Sequence, residues 1–309
     1  MSFALVFPGQ GSQSVGMMQA YGDLPEIRST FDEASQVLGQ DLWALVAEGP
    51  EEALAQTVNT QPVMLAAGVA VFRAWRALGG AMPCCVAGHS LGEYTALVAA
   101  GSLGFADAVR LTRFRAQAMQ QAVPAGVGGM AAILGLSDDG VRQACREAAA
   151  GEVLEPANFN SPGQVVIAGH RSAIERGVEA AKALGAKRAV ALAMSVPSHC
   201  SLMKPAAEAL AQYLGEVPLQ APAIPVIHNA TVAEAGTPEA LREALVQQLY
   251  SPVRWVETVQ AMAARGVTQV AECGPGKVLA PLVKRIQSEV QGIALSDAAS
   301  LAAARDVLK

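Results

Sequence analysis

Pro83-Cys84-Cys85-Val86-Ala87-Gly88-His89-Ser90-Leu91-Gly92-Glu93-Tyr94-Thr95-Ala96-Leu97-Val98-Ala99-Ala100 changes its hydrophobic period at a serine. Before Ser90 the stretch is a short apolar run; after it the apolar positions recur at helical spacing. A buried strand that passes through Gly88-His89-Ser90-Leu91-Gly92 straight into a helix is the sequence form of a nucleophile elbow. Gly88 and Gly92 are required because so sharp a turn leaves no room for side chains where strand and helix meet. Ser90 then stands at the tip of the turn, near the positive end of a helix that starts at Leu91. A helix N-terminus presents unpaired N–H groups to any oxyanion formed there. The pentapeptide alone also fits a strand-to-helix turn with no chemistry, so the rest of the chain has to decide.

With 309 residues the chain exceeds one ordinary domain, which implies one large domain or a large one carrying a smaller insert. Hydrophobic residues make up 52% and charged residues 16%, which excludes a disordered chain. Arg and Gly interrupt every alanine-rich run before it reaches the roughly 18 to 20 residues that span a bilayer, so no membrane partner is expected. The chain goes directly into Phe3–Phe7 without a basic leader, and no secretory signal is expected. Five cysteines, two of them adjacent and none in a Cys-x-x-Cys pair, suggest neither a disulfide framework nor a zinc knuckle, which points to a reducing cytoplasm. A formal charge of −5 argues against nucleic acid as the main partner.

Working outward, Phe3–Phe7 is an all-apolar run ending in Pro8-Gly9-Gln10-Gly11-Ser12-Gln13, a buried first strand stopped by a glycine-rich loop. Ligands bind at such carboxyl ends in open α/β sheets. The loop matches neither a dinucleotide fingerprint nor a phosphate loop. Residues 25–78 read as helical, with Trp43 and Trp75 as packing residues. A helix from Phe105 carries Arg110, Arg113 and Arg115. Geometry alone would leave such arginines at the surface. Pro124–Gly129 reads as a hinge. Beyond it come apolar runs at Met130–Leu134, Leu154–Ala157, Gln164–Ala168 and Ala189–Ala193, with helices from Ser137 and over Arg171–Leu184. That order is the split βαβ of a ferredoxin-like (βαββαβ) unit, an insert over 126–196. The main unit, 1–125 and 197–309, resumes with strands at Ile224–His228 and Val267–Glu272, helices at Pro238–Leu249 and Pro252–Ala264, and a closing helix after Gly274-Pro275-Gly276. The expected fold is α/β: a large α/β-hydrolase-like domain with a mostly parallel sheet, plus the inserted subdomain.

A serine nucleophile needs a base, and four histidines are present. His89 neighbours Ser90 and points to the opposite side, as a packing residue. His170 falls on the insert, and His228 ends a strand as a weaker choice. His199, where the chain returns to the main sheet at a loop-to-helix junction, has the best position. No acidic residue near it marks itself as a third triad member, and a backbone carbonyl could orient the ring instead.

The stretches Phe7–Gln13, Gly88–Glu93, Phe114-Arg115, Asn158–Gln164, Val196–His199 and Gln247–Tyr250, in this order, resemble the malonyl-CoA:acyl carrier protein transacylases of fatty-acid synthesis. The resemblance implies that Ser90 is acylated by malonyl, that His199 is the base, and that the Gln248 backbone carbonyl orients it. It further implies an oxyanion hole from the backbone N–H groups of Gln10 and Leu91, and Arg115 as the grip on the malonyl carboxylate. Malonyl-CoA and a phosphopantetheinylated acyl carrier protein are the implied substrates, with no permanently bound cofactor and no metal. In related polyketide acyltransferase domains the residue at Ser198 follows extender size, serine accompanying methylmalonyl; stand-alone transacylases commonly carry serine there and use malonyl. Carrier proteins are acidic, so a basic patch is expected among Lys182, Lys187, Arg188, Lys277, Lys284 and Arg285. The alternatives are a free-standing polyketide-type acyltransferase, a serine esterase or lysophospholipase, and a carrier-binding scaffold without catalysis. Arg115 discriminates, since a hydrolase of uncharged acyl chains has no use for a buried cation.

Overall fold

The computed structural model describes residues 2–192, 194 and 196–309. Strand β1 (Ser2–Phe7) sends Phe3, Leu5 and Phe7 to one face and Ala4 and Val6 to the other, and each set joins a separate apolar cluster. A strand buried on both faces belongs in the middle of a parallel sheet. Helices α1 (Pro25–Leu38), α2 (Leu42–Glu48), α3 (Glu51–Ala55) and α4 (Thr57–Ala77) follow. Then come β2 (Cys85–Gly88), α5 (Gly92–Ala99) and α6 (Phe105–Ala122).

The chain next forms β3 (Gly128–Leu134), α7 (Asp138–Ala148), β4 (Leu154–Ser161), β5 (Gln164–His170), α8 (Arg171–Ala183) and β6 (Arg188–Ala191). These four strands make an antiparallel sheet in the order β4-β5-β3-β6. Chain order and sheet order agree with the expected ferredoxin-like unit. Apolar side chains of α7 and α8 cover one face. The other face, with Met130, Ala157, Val166 and Ala168, turns toward Cys200 and the remainder of the chain.

That remainder is α9 (Lys204–Leu214), β7 (Val226–Ile227), α10 (Pro238–Tyr250), α11 (Trp255–Ala264), β8 (Val267–Cys273), α12 (Leu279–Ile286), β9 (Gln291–Leu295) and α13 (Ala298–Val307). The large sheet runs β7-β2-β1-β8-β9, all parallel. The mixed α/β class with a mostly parallel sheet is therefore as expected.

Several local expectations change. Gly128 and Gly129 belong to β3 rather than to a hinge; a Cβ on Gly128 would lie 2.5 Å from the Pro197 ring, so this glycine serves close packing, not flexibility. Residues 158–161 continue β4 beyond the expected run Leu154–Ala157, because Phe159 N–H donates to the Val253 carbonyl and the strand pairs with β5. Only Pro162 and Gly163 turn. Residues 252–254 precede α11, since Val253 bridges Asn158. β7 is shorter than expected, and after residue 276 there are two helices flanking β9 in place of one closing helix. The strand expected over Ala189–Ala193 spans Arg188–Ala191; Ala193, like Ser195, lies outside the described residues.

Candidate active site

Four loops converge at the carboxyl edge of the parallel sheet: residues 8–11 after β1, 89–91 after β2, 228–229 after β7, and 274–278 after β8. The elbow is as tight as its glycines imply. A Cβ on Gly88 would lie 1.8 Å from the Gly92 carbonyl carbon, and one on Gly92 would lie 2.1 Å from the Phe7 oxygen. Both obstacles are backbone, which cannot move aside. Ser90 itself has φ +52°, and His199 has φ +62°. Left-handed backbone at a non-glycine residue costs about 1–3 kcal/mol and persists only where the surroundings enforce it.

Ser90 Oγ and His199 Nε2 are 2.7 Å apart, although 109 residues separate them in the chain. The other ring nitrogen, Nδ1, is 2.8 Å from the Gln248 carbonyl oxygen. Gln248 lies in the last turn of α10, where carbonyls have no helical N–H to accept, so one is free for the imidazole. Because a carbonyl can only accept, the proton sits on Nδ1 and Nε2 is left as acceptor for the serine hydroxyl. Burial, followed by the nearby Arg115 cation, pushes the His199 pKa down to about 3. The ring is therefore neutral, with Nε2 free to accept a hydrogen bond. His89, half-buried beside the cavity, is likewise shifted downward, by desolvation.

This has a consequence for stability. The folded-state values lie below the ordinary histidine value near 6.5, so on acidification protons bind the unfolded chain first. Stability is intact above roughly pH 6.5 and declines as pH falls toward about 3. Thermal midpoints measured from pH 8 to pH 5 should hold steady down to about 6.5 and then fall. In His199→Gln the fall between those pH values should be shallower.

Arg115 is 1% exposed. Its NH1 donates to Gln61 Oε1 at 2.8 Å, and its NH2 donates to Gln248 Oε1 at 3.1 Å and to Ser90 Oγ at 3.3 Å. Tyr94 lies under the guanidinium, 5.4 Å from ring centroid to Cζ. All these partners are neutral, and Nε has no acceptor among the described residues. A buried cation with no carboxylate in bonding distance among the described residues is costly, and desolvation lowers the Arg115 pKa even though the more distant Glu93 charge opposes this. Such a group, 3.3 Å from the Ser90 hydroxyl, can receive an anionic part of a molecule that reaches that hydroxyl.

The amides of Gln10 and Leu91 meet no acceptor among the described residues, whereas that of Gly11 donates to Gln13 Oε1 and that of Ser90 to Asn229 Oδ1, each at 2.7 Å. Gly9 brings the two strand ends together: a Cβ there would lie 2.4 Å from the His89 oxygen and 3.7 Å from Leu91 N. Thr57 Oγ1 donates to the Gln10 side-chain oxygen at 3.1 Å, which fixes that loop from α4.

The remaining histidines have other partners. His89 Nε2 is 2.8 Å from Asn160 Oδ1 and the ring packs against Trp255. His170 Nδ1 accepts the Val153 N–H within the small sheet. His228 Nδ1 is 2.8 Å from Glu93 Oε1. Gln61, Glu93, Asn160 and Asn229 are site residues that the sequence reading did not single out. The six basic residues are all exposed; Lys182 pairs with Glu179, and Arg285 donates to Gln164 at 2.7 Å. A cavity of ≈ 440 Å3 opens over Ser90, floored by the large sheet's loops and walled by Met130, Asn160, Gln164 and Val166 of the small sheet. Among the described residues no cluster of three or more His, Cys, Asp or Glu could hold a metal, and no helix is long and apolar enough to cross a membrane.

The acyl transferase domain profile matches residues 4–303. The malonyl CoA-acyl carrier protein transacylase of Salmonella typhimurium is 55% identical over 303 residues, 98% of each chain, and that of Escherichia coli K12 is 54% identical over 306 residues, 99% of each. Among solved structures, an acyl-carrier-protein S-malonyltransferase from Burkholderia pseudomallei superposes with a TM-score of 0.98 at 58% identity, covering 99% of this chain and 100% of that one. A malonyl-transacylase solved in complex with a type II polyketide acyl-carrier protein reaches a TM-score of 0.98 at 52% identity, with the same coverage. With its fold matched end to end and a serine, a histidine and a buried arginine gathered in one cleft, this chain is an acyltransferase and belongs to the malonyl CoA-acyl carrier protein transacylase family.

Proposed function

We propose that this enzyme moves a malonyl group from malonyl-CoA to the phosphopantetheine thiol of an acyl carrier protein through a malonyl-Ser90 ester. The observation that carries the reading is the uncompensated Arg115 guanidinium 3.3 Å from Ser90 Oγ. A planar carboxylate two bonds beyond the thioester carbonyl matches its fork of donors. An esterase acting on uncharged chains would gain nothing from burying that charge.

In the first half-reaction His199 Nε2 takes the Ser90 hydroxyl proton as Oγ attacks the thioester carbonyl. The oxyanion is received by the N–H groups of Gln10 and Leu91, and loss of one such donor typically costs about 2.7–4 kcal/mol. The intermediate collapses, the carbon–sulfur bond breaks, and His199 returns the proton to the departing CoA sulfur. In the second half-reaction the carrier thiol gives its proton to His199, attacks the ester, and leaves as malonyl thioester while Ser90 regains its proton. The Gln248 carbonyl holds the ring through both halves, and the negative end of α10 favours the transient imidazolium. A bound malonyl carboxylate would also cancel the Arg115 repulsion, which after burial is the second cause of the lowered histidine pKa, making the ring a better base when that substrate is present.

The reaction takes place, on this reading, in the cytoplasm, with no resident cofactor. Residues 126–196 form a subdomain inserted in a unit of 1–125 and 197–309. Lys277, Lys284 and Arg285 are favoured for carrier docking, because Val278 and Gln164 line the cavity beside them, whereas Lys182 is already paired. Mixing the enzyme with malonyl-CoA alone should give one malonyl adduct per chain by intact mass, and addition of holo carrier protein should discharge it with ping-pong kinetics. Absence of the adduct, or transfer that requires both substrates bound together, would refute the reading.

A further inference from the structure

We propose that Asn229 is a positioning residue for acylation, holding the serine elbow in its reactive form; the proposal rests on Ser90 being the nucleophile. Asn229 is fully buried at the end of β7, 139 residues from the serine. Its Oδ1 accepts the Ser90 N–H at 2.7 Å and its Nδ2 donates to the Gly88 carbonyl at 2.7 Å. One planar amide thus grips the peptide groups on both sides of His89. The asparagine amide supplies an acceptor and a donor on two separate atoms at once, whatever the pH.

The grip acts where the backbone is least willing. Ser90 sits at φ +52°, and the two bonds from Asn229 fix the residue's own amide and the carbonyl two residues before it. They also decide which amides face the cavity, because the Ser90 N–H is consumed and the next one, on Leu91, is left without an acceptor among the described residues.

Asn229 is held in turn. Its backbone N–H donates to Glu93 Oε2 at 2.8 Å, and the second oxygen of that carboxylate is 2.8 Å from His228 Nδ1. Glu93 is 0% exposed and lies in the first turn of α5, the helix that the elbow feeds. The elbow is therefore closed into a ring: β2, Ser90, α5, Glu93, Asn229 and back to Gly88. A displacement of about 1 Å in a reacting group can cost on the order of 100-fold in rate, so loss of the grip should be read in chemistry before it is read in binding.

The test is single-turnover formation of the malonyl-serine ester from malonyl-CoA, followed by quenched-flow intact mass. The plateau gives the fraction of competent chains and the time course gives the rate per competent chain. Asn229→Ala should slow that rate roughly 100-fold while the half-saturating malonyl-CoA concentration stays within about two-fold. Asn229→Asp keeps the acceptor for Ser90 N–H but sets an anion against the Gly88 carbonyl, and should also be slow. Glu93→Gln keeps an acceptor for the Asn229 N–H and should lose less than Asn229→Ala, a partial rescue that reports on the same ring if the alanine variant does not fold. A variant with fewer competent chains or a lower thermal midpoint but an unchanged rate per competent chain would reduce Asn229 to a structural role and overturn the proposal. A fall in rate matched by an equal rise in half-saturation would also overturn it. A wild type that takes no adduct would instead overturn the reading of Ser90, and the inference with it.

Discussion

Replacing Arg115 by alanine should cut malonyl loading of Ser90 by tens to several thousand-fold, while acetyl loading holds or improves. Truncating one partner of a desolvated, hydrogen-bonded charge pair costs about 2–5 kcal/mol, and each 1.4 kcal/mol is tenfold. The acetyl side follows from the same charge. In the wild type a substrate without a carboxylate seals the guanidinium beside Gln61, Gln248 and Tyr94, none of which carries a balancing charge. The alanine variant removes that penalty, so discrimination collapses from both directions. Competition between malonyl-CoA and acetyl-CoA for labelling of Ser90, read by intact mass, measures the ratio directly. Arg115→Lys should recover little: NH1 and NH2 reach Gln61 and Gln248 separately, and an ammonium cannot span both and still offer two donors to a carboxylate. The fold should tolerate the change, since removing an unpaired buried charge offsets part of the packing lost. Malonyl loading at the wild-type rate in Arg115→Ala would overturn the carboxylate assignment.

The elbow, the alternation of strands and helices, and the ferredoxin-like unit were legible because each is a local signal: a change of hydrophobic period, a glycine pair, a turn. Arg115 shows where local signals stop. Periodicity on α6 places it off the Arg113 face, but nothing in that helix says whether its own face meets solvent or the sheet; only the resemblance lifted it from the surface. Glu93 and Asn229 were missed for a related reason. Their chemistry joins the Glu93 carboxylate to a backbone N–H 136 residues away, and no spacing rule reports on such a pair. One hint was available, namely a carboxylate followed by Tyr94, Thr95 and Ala96 in a helix buried almost throughout, which needs a partner to be there at all. Gln61 stands similarly among apolar neighbours in α4. The β9 strand escaped because it lies at the sheet edge, half-buried, with a glycine whose Cβ would meet the Ala280 carbonyl; neither alternation nor a continuous apolar run marks it.

Ser90→Ala should lose the malonyl adduct entirely and lose transfer with it, by a factor on the order of 10⁶. The size of the second loss is the informative part. An enzyme stripped of its nucleophile often retains roughly 10³–10⁴-fold catalysis from its oxyanion hole and binding groups. Here that residue of activity requires a carrier thiol to attack the CoA thioester directly, with His199 still present as base. The cleft opposes it. The cavity of ≈ 440 Å3 over Ser90 is lined by Gln10, Leu91, Arg115 and His199 together. On the proposed roles, a malonyl thioester reaching Arg115 would place its carbonyl on the Gln10 and Leu91 amides and its CoA sulfur in the passage that the carrier's arm would need. The ester on Ser90 separates the two occupancies in time, so without it the remaining groups have no second substrate to act on. Binding should survive: Arg115 NH2 loses only its 3.3 Å contact with the serine oxygen and keeps Gln61 and Gln248. Equilibrium binding of malonyl-CoA to Ser90→Ala should therefore stay within about tenfold of the wild-type half-saturation. Transfer persisting in Ser90→Ala with sequential kinetics would show that both arms fit at once, and would replace the two-step mechanism by direct thiol exchange.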